Sequence, residues 1–424
     1  MTIPMRFYRY GIAAEKELFD GVKGCADGFV LPAQLVVDQK ASLSPWLKGK
    51  KFFIDPMTHP YFSDQCEIGN SDGSEFKRSY DKLREEYGSP YSDLAAPNDK
   101  LDASTILASF DTFSESLDRV VSFQETFVQK RIDEDLQEYF RILSQHGLMP
   151  SGSGSEYENT ETKPDRLLLP YVYFENTQTQ EYELNRRIWN WGKDYGSRFS
   201  RPLCAVIATG KRGADWPVVV DHLKGKVACV VLWFSEIDEL TSPIEDLIGM
   251  RRACQSLSKE GLRVHIHCGG AFAMGLGFDG VNSVASGATY GGRRALSLVE
   301  GGPVPQRYFF PQLLRVLALA DARFAYEILG LECNNDCCRD AGSSVDSFVA
   351  TFFPGDVETS WGPTRNTKLH YLRRFKQKMN EIWKDGKEAG IVRLMAMKEK
   401  AEASLPEDYW AHFDAWIQAY EKKI

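Results

Sequence analysis

Val227-Ala-Cys-Val-Val-Leu-Trp-Phe234, then Pro243-Ile-Glu-Asp-Leu-Ile-Gly-Met-Arg-Arg-Ala-Cys-Gln-Ser-Leu-Ser-Lys259, then Val264-His-Ile-His267 form the stretch that decides the fold class. The first run is apolar throughout, so it has no face suited to water. Such a run fits a strand covered on both sides, as in a parallel sheet. The second run has the period of a helix, and the third reads as another covered strand. Strand, helix, strand in that order is the repeating unit of an α/β protein.

Similar runs recur outward from this unit. They lie at Phe29 to Val37, Phe52 to Ile54, Leu167 to Phe174, Cys204 to Ala208 and Gly280 to Val284. Either Met5 to Tyr10 or Arg307 to Phe310 supplies a further strand. Seven or eight such strands predict a TIM-type (β/α)₈ barrel. Two segments break the repetition. Residues 63–165 are an insertion in which Ser104 to His146 reads as mainly helical. Its stripe is Leu107, Phe110, Phe113, Leu117, Val120, Val121, Phe127 and Val128, interrupted by Gln124, and it predicts a helical pair packed on the barrel. Ser151-Gly-Ser-Gly-Ser and the polar run to about Asp165 read as a flexible loop. The second break runs from residue 301 to 424, so the barrel is expected over 1–300.

The chain has 424 residues, 43% hydrophobic and 26% charged, with a formal net charge of -8. A folded, core-forming protein is expected. The negative balance argues against a globally basic nucleic-acid binder and leaves a local basic face open. There is no signal-peptide build and no apolar run of membrane-spanning length, which predicts a cytoplasmic protein. No Walker loop, strand–GxGxxG–helix fingerprint or HExxH is present. Six cysteines are scattered (Cys25, Cys66, Cys204, Cys229, Cys254, Cys268), several in apolar runs, and read as buried thiols.

The other three cysteines crowd together in Glu332-Cys-Asn-Asn-Asp-Cys-Cys338. A closed structural zinc site takes four thiolate or imidazole ligands. The nearest downstream histidine is His370, on a predicted helix from Asn366 to Lys384 whose apolar stripe is Leu369, Leu372, Phe375, Met379 and Ile382. Cys333, Cys337, Cys338 and His370 are therefore candidate ligands of a structural Zn²⁺. The bland reading makes Cys337-Cys338 turn residues and His370 a surface residue. Adjacent cysteines seldom share one ion comfortably, so one of the two is a candidate bystander.

At this point the chain resembles the tRNA-guanine transglycosylase superfamily. Those enzymes are α/β barrels with a zinc subdomain whose histidine opens a helix of the kind TIHNLxFYxxLMxxIR, to which Lys368-Leu-His370-Tyr-Leu-Arg-Arg-Phe-Lys-Gln-Lys-Met-Asn-Glu-Ile382 is similar. The family's TDSGGFQVF is matched by Ile54-Asp55-Pro-Met-Thr-His-Pro-Tyr-Phe62, and MAFDE by Val172-Tyr-Phe-Glu175-Asn. GIVQGG is matched by Ala205-Val-Ile-Ala-Thr-Gly210, and the final barrel motif by His265-Ile-His-Cys-Gly269-Gly to Gly277-Phe-Asp279-Gly-Val-Asn282-Ser-Val284.

The resemblance implies base exchange: a guanine leaves a polynucleotide and a 7-deazaguanine base enters, on DNA in preference to tRNA. It implies that Asp55 handles the proton of the base and that Glu175 grips the guanine-like edge, which a carboxylate can pair in bidentate fashion. Asn282 falls where the family has its nucleophilic aspartate. An amide is no anionic nucleophile, so Asp279, Glu236 and Asp238 become substitute candidates. A catalytically degenerate nucleic-acid-binding subunit, working with a partner or as a homodimer, becomes an alternative. His59 is a candidate proton-transfer helper. His265 and His267 point to one side of their strand and are expected to line core or pocket. Arg373, Arg374, Lys376 and Lys378 on the basic helix, with Arg293 and Arg294, are candidate phosphate contacts.

Overall fold

The computed structural model describes residues 3–11, 15–70, 72–145, 162–210, 214–288, 295–297, 307–331, 338, 341, 344–353 and 361–424. The Ser151 loop, Cys333, Cys337, Arg293 and Arg294 lie outside the described residues.

The chain order begins β1 (Met5–Arg9), α1 (Glu15–Gly21), β2 (Gly28–Pro32), α2 (Ala33–Asp38), α3 (Lys40–Leu47) and β3 (Phe52–Asp55). The insertion follows as α4 (Arg78–Tyr87), α5 (Ala103–Ala108) and α6 (Phe110–Gln145). Then come β4 (Leu167–Leu168), α7 (Gln180–Tyr195), β5 (Leu203–Thr209), α8 (Trp216–Leu223), β6 (Cys229–Phe234) and α9 (Ile244–Lys259). The barrel part ends with β7 (Arg263–His267), α10 (Ala271–Gly275) and β8 (Val281–Ser286).

β1 to β8 form one sheet in the order β3-β2-β1-β8-β7-β6-β5-β4. Every ladder in it is parallel. The sheet is a nearly closed barrel with flanking helices, a TIM-like α/β fold. Met5–Arg9 is the strand that completes it. Arg307–Phe310 pairs antiparallel with Arg315–Ala318 in a separate two-stranded sheet.

The apolar runs are explained by period 2 with both faces buried. On β6, Cys229, Val231 and Trp233 point into the lumen with Val206 and Ala208 of β5. Val230, Leu232 and Phe234 point outward to the helices. Cys204 and Cys229 are register partners on β5 and β6 and are joined by a disulfide, so the all-thiol expectation is corrected for that pair. Two scattered cysteines in apolar runs read alike whether or not a neighbouring strand sets them side by side.

Closure between β3 and β4 uses no ladder. Asp165 N donates to Phe52 O at 2.7 Å at one end. At the other, Thr58 Oγ1 donates to Tyr171 O at 2.7 Å and accepts from Tyr171 N at 2.8 Å. Between them the insertion helix α6 serves β4. Gln124, the polar break in its stripe, donates to Leu168 O at 2.7 Å and accepts from Leu168 N at 2.8 Å. Its amide replaces the missing strand neighbour. Gln124→Leu strands a buried N–H and C=O, which costs about 2–6 kcal/mol at 1–3 kcal/mol per orphaned group. Urea unfolding of the variant measures this, and a loss below about 1 kcal/mol refutes the role.

After the barrel come β9 (Arg307–Phe310), β10 (Arg315–Ala318), α11 (Leu319–Leu329), α12 (Val345–Phe352), α13 (Trp361–Trp383), α14 (Lys387–Glu402) and α15 (Ala411–Glu421). Tyr308, Phe310, Leu313, Phe348 and Phe352 build a core of their own. α13 is docked on the barrel by the buried Arg6 of β1. Its guanidinium donates to Tyr371 Oη at 3.0 Å, to Gly269 O at 3.3 Å and to Ser286 Oγ, and lies 4.4 Å from the Phe375 ring centroid. Among the described residues no helix is long and apolar enough to cross a membrane.

Candidate active site at the barrel mouth

The carboxyl ends of parallel strands converge at one end of a barrel, and the loops after them carry the chemistry of such folds. Asp55 closes β3 there and is buried. A buried carboxylate needs donors, and the fold supplies them from three directions. Oδ1 accepts from Met57 N at 3.1 Å and from Tyr171 Oη at 2.9 Å. Oδ2 lies 3.6 Å from His267 Nε2, at the end of β7, and 4.0 Å from Arg9 Nη2, at the end of β1. A carboxyl group held between a phenol, an imidazole and a guanidinium can exchange a proton without leaving its place.

The backbone around it is strained. Among the described residues three non-glycine positions have positive φ, and two of them, Met57 (φ 54) and Cys268 (φ 64), stand just after Asp55 and His267. Left-handed backbone at such residues costs on the order of 1–3 kcal/mol and gathers at working sites.

Aromatic rings wall the mouth. His59 stacks on Tyr171 at 5.1 Å between centroids and meets Trp233 edge-on at 4.8 Å. Tyr173 Oη is 2.9 Å from Ser235 Oγ. Burial raises the Tyr173 hydroxyl above its ordinary range. A Cβ on Gly210 would lie 3.1 Å from both Tyr173 Oη and Glu236 Oε2, so these two groups converge over that glycine.

One layer deeper, His265 Nδ1 is 2.7 Å from Ser283 Oγ, and the ring meets Phe53 edge-on at 5.0 Å. Burial drives its pKa well down, which leaves it neutral. Arg166 closes the floor with its guanidinium 5.2 Å from the Phe53 ring.

The other expected site residues divide. Glu175 and Glu236 are exposed at the rim, after β4 and β6. Asp238 shapes a turn: its Oδ1 accepts from Leu240 N at 3.0 Å, and its own N–H donates to Ser242 Oγ at 2.9 Å. Its neighbour Glu239 is buried and takes three backbone N–H bonds from the loop after β7. Burial pushes the Glu239 carboxyl up to about 7, with the three amides acting in the opposite sense.

Asp279 and Asn282 are at the other end of the barrel. Asp279 precedes β8 and is clamped by Arg251 at 2.7 and 3.0 Å. Asn282 is the second residue of β8, exposed, with its Oδ1 accepting from Val264 N at 2.8 Å. The mouth end of β8 is Ser286, about 13 Å further along at 3.3 Å per residue. Neither residue joins Asp55, because functional side chains follow parallel strands and these two stand before and at the start of theirs.

The basic helix is also redrawn. Lys376 pairs with Asp27 at 2.7 Å, and Arg374 and Lys378 each lie 3.8 Å from Glu381. Lys368 pairs with Glu15 at 3.2 Å. These charges dock α13 on the barrel and on itself. Arg373, on the same helix, is half-buried.

Of the four candidate zinc ligands, Cys338 and His370 are described. Both are buried, with Cys338 Sγ 3.0 Å from His370 Nδ1. His370 Nε2 donates to Phe309 O at 2.9 Å, and Nδ1 faces the sulfur. That is how a metal-binding histidine is oriented, so the two residues fit a ligand pair. Among the described residues no group of three metal-binding side chains occurs.

No family model matches this chain, and no curated protein matches it.

Proposed function

We propose that the chain is a base-exchange transglycosylase acting on a guanine of a polynucleotide, DNA ahead of tRNA, with a 7-deazaguanine base as the incoming group. The observation that carries the proposal is Asp55, a buried carboxyl at the barrel mouth held by Tyr171, Met57 N, His267 and Arg9. As the glycosidic bond breaks, the departing base takes a proton at its ring nitrogen. As the new bond forms, the incoming base gives one up. The exchange is proton-neutral, so one carboxyl group can serve both halves.

Glu236 over Gly210 is the carboxylate in this reading that meets the anomeric carbon, and Glu175 pairs with the N–H and amine edge of the base. His59, Tyr171, Tyr173 and Trp233 give the base aromatic walls. A target inside a duplex must be flipped out to reach them. Arg293 and Arg294 after β8, with Arg373, Arg374, Lys376 and Lys378 of α13, are the phosphate contacts in this reading. The degenerate-subunit alternative drew its support from Asn282 as a failed nucleophile, and Asn282 stands at the far end of the barrel.

The test is direct. The protein is incubated with guanine-labelled DNA or tRNA and a 7-deazaguanine base, and released label is counted. No release from either polymer by folded protein defeats the proposal.

A structural zinc held by Cys338 and His370, with Cys333 and Cys337 as the further thiolates, belongs to the same reading. It would close the loop between α11 and α12 onto α13. Metal analysis is expected to give about one zinc per chain, and Cys338→Ser well under half of that. Metal-free protein that unfolds identically to the purified form removes the zinc.

A further inference from the structure

The paired glycines after β7, Gly269-Gly270, match no nucleotide-binding pattern, and their use lies elsewhere. Gly270 N and Ala273 N donate to Glu239 Oε1 at 2.7 and 3.1 Å, and Phe272 N donates to Oε2 at 2.9 Å. A Cβ on Gly270 would stand 2.7 Å from Glu239 Oε2, and one on Gly269 would stand 2.6 Å from Ala273 Cβ. Only glycine lets the turn close this tightly on the carboxylate. The turn starts at His267, passes the strained Cys268, and is pinned to β8 by Gly269 N donating to Ala285 O at 2.8 Å.

Glu239 is itself anchored from outside. Its carbonyl accepts from Trp416 Nε1 at 2.6 Å, and Tyr420 Oη donates to Phe272 O at 2.5 Å, both from α15. The titratable groups around it are Asp238 beside it and Tyr420 on α15, with the Arg251–Asp279 pair beyond Tyr420.

We propose that Glu239 is the positioning residue of the mouth, seating the turn after β7 so that His267 is held against Asp55. Ser235 and Glu236 sit on the β6 side of the same short connection, so one carboxylate fixes the relation between the β6 and β7 edges of the site. That the seated turn serves base exchange rests on the function proposed above, whereas the seating itself does not.

The test uses the full chain with Glu239→Ala and Glu239→Gln. Gln keeps Oε1 for two of the amides but turns an N–H₂ toward Phe272 N, so its defect is smaller. Amide exchange protection over 270–274 is expected to fall about tenfold or more in Glu239→Ala, by loss of three charge-assisted bonds. The His267 ring signals move in NMR spectra, while those of His222, on α8, stay. Label exchange loses kcat with little change in KM. Wild-type protection and His267 signals in both variants overturn the proposal. If Glu239→Ala does not fold, the same comparison on Glu239→Gln decides it. Lost protection and moved His267 signals in a protein whose wild type exchanges no base leave the seating role standing and remove the functional reading.

Discussion

Asp55→Asn is expected to lower kcat for base exchange by about 10²–10⁴-fold, the usual worth of one general acid–base group. The variant separates charge and proton capacity from shape. The Asn side chain keeps an acceptor for Met57 N and Tyr171 Oη, so the mouth stays closed. What it loses is an acid that can give a proton and take it back, and a counter-charge for Arg9, 4.0 Å away. Thermal unfolding within a few degrees of wild type, together with lost label release, is the expected pair of results. An Asp55→Asn protein that exchanges base at the wild-type rate removes Asp55 from the chemistry. His267→Gln is expected to have the smaller effect, because His267 Nε2 stands 3.6 Å from Oδ2, beyond ordinary hydrogen-bond length.

Arg251→Met is expected to cost about 3–5 kcal/mol of stability, the cost of breaking a buried ion pair from one side. Arg251 and Asp279 are both buried, joined at 2.7 and 3.0 Å, and Gln255 adds a third bond to Asp279 at 2.6 Å. Arg251 also donates to Ala419 O and, at 2.9 Å, to Lys422 O, carbonyls in the last turn of α15 and just past it, where helix ends leave carbonyls to be satisfied from outside. Removing the guanidinium strands a buried carboxylate and unties the terminal helix together. Denaturant unfolding measures the loss. Arg251→Met with Asp279→Leu should recover part of it, since replacing both partners removes the lone charge. A single variant within about 1 kcal/mol of wild type would show that the pair holds nothing.

The same residues show how far a linear reading reaches. Asp279 is a substitute candidate in the sequence because it stands near Asn282 and next to the last barrel strand. It stands before that strand, and in a parallel barrel the strand start is the far end. That signal was present in the order of the residues: Asp55 follows its apolar run and lies at the mouth, whereas Asp279 precedes its own. The basic helix shows a different limit. Its partners Asp27 and Glu15 come from the opposite end of the chain, and no local pattern announces them. Arg9, Tyr171 and Trp233 lie inside the apolar runs of the sequence, and only the end of β1 at Arg9, the early end of β4 at Leu168 and the inward face of β6 bring them to the mouth.

The sequence alone determined the class of fold. Continuous Val- and Leu-rich runs alternating with helical periods leave no stable arrangement but strands covered on both faces, and burial of apolar surface depends on pattern, not on partner identity. It also determined that Asp55 ends a strand. Tertiary structure decided the rest, because hydrogen bonds and ion pairs are directional and short. That Gln124 completes a sheet, that Gly269-Gly270 close on Glu239 and that Lys376 reaches Asp27 depend on ångströms between residues far apart in the chain.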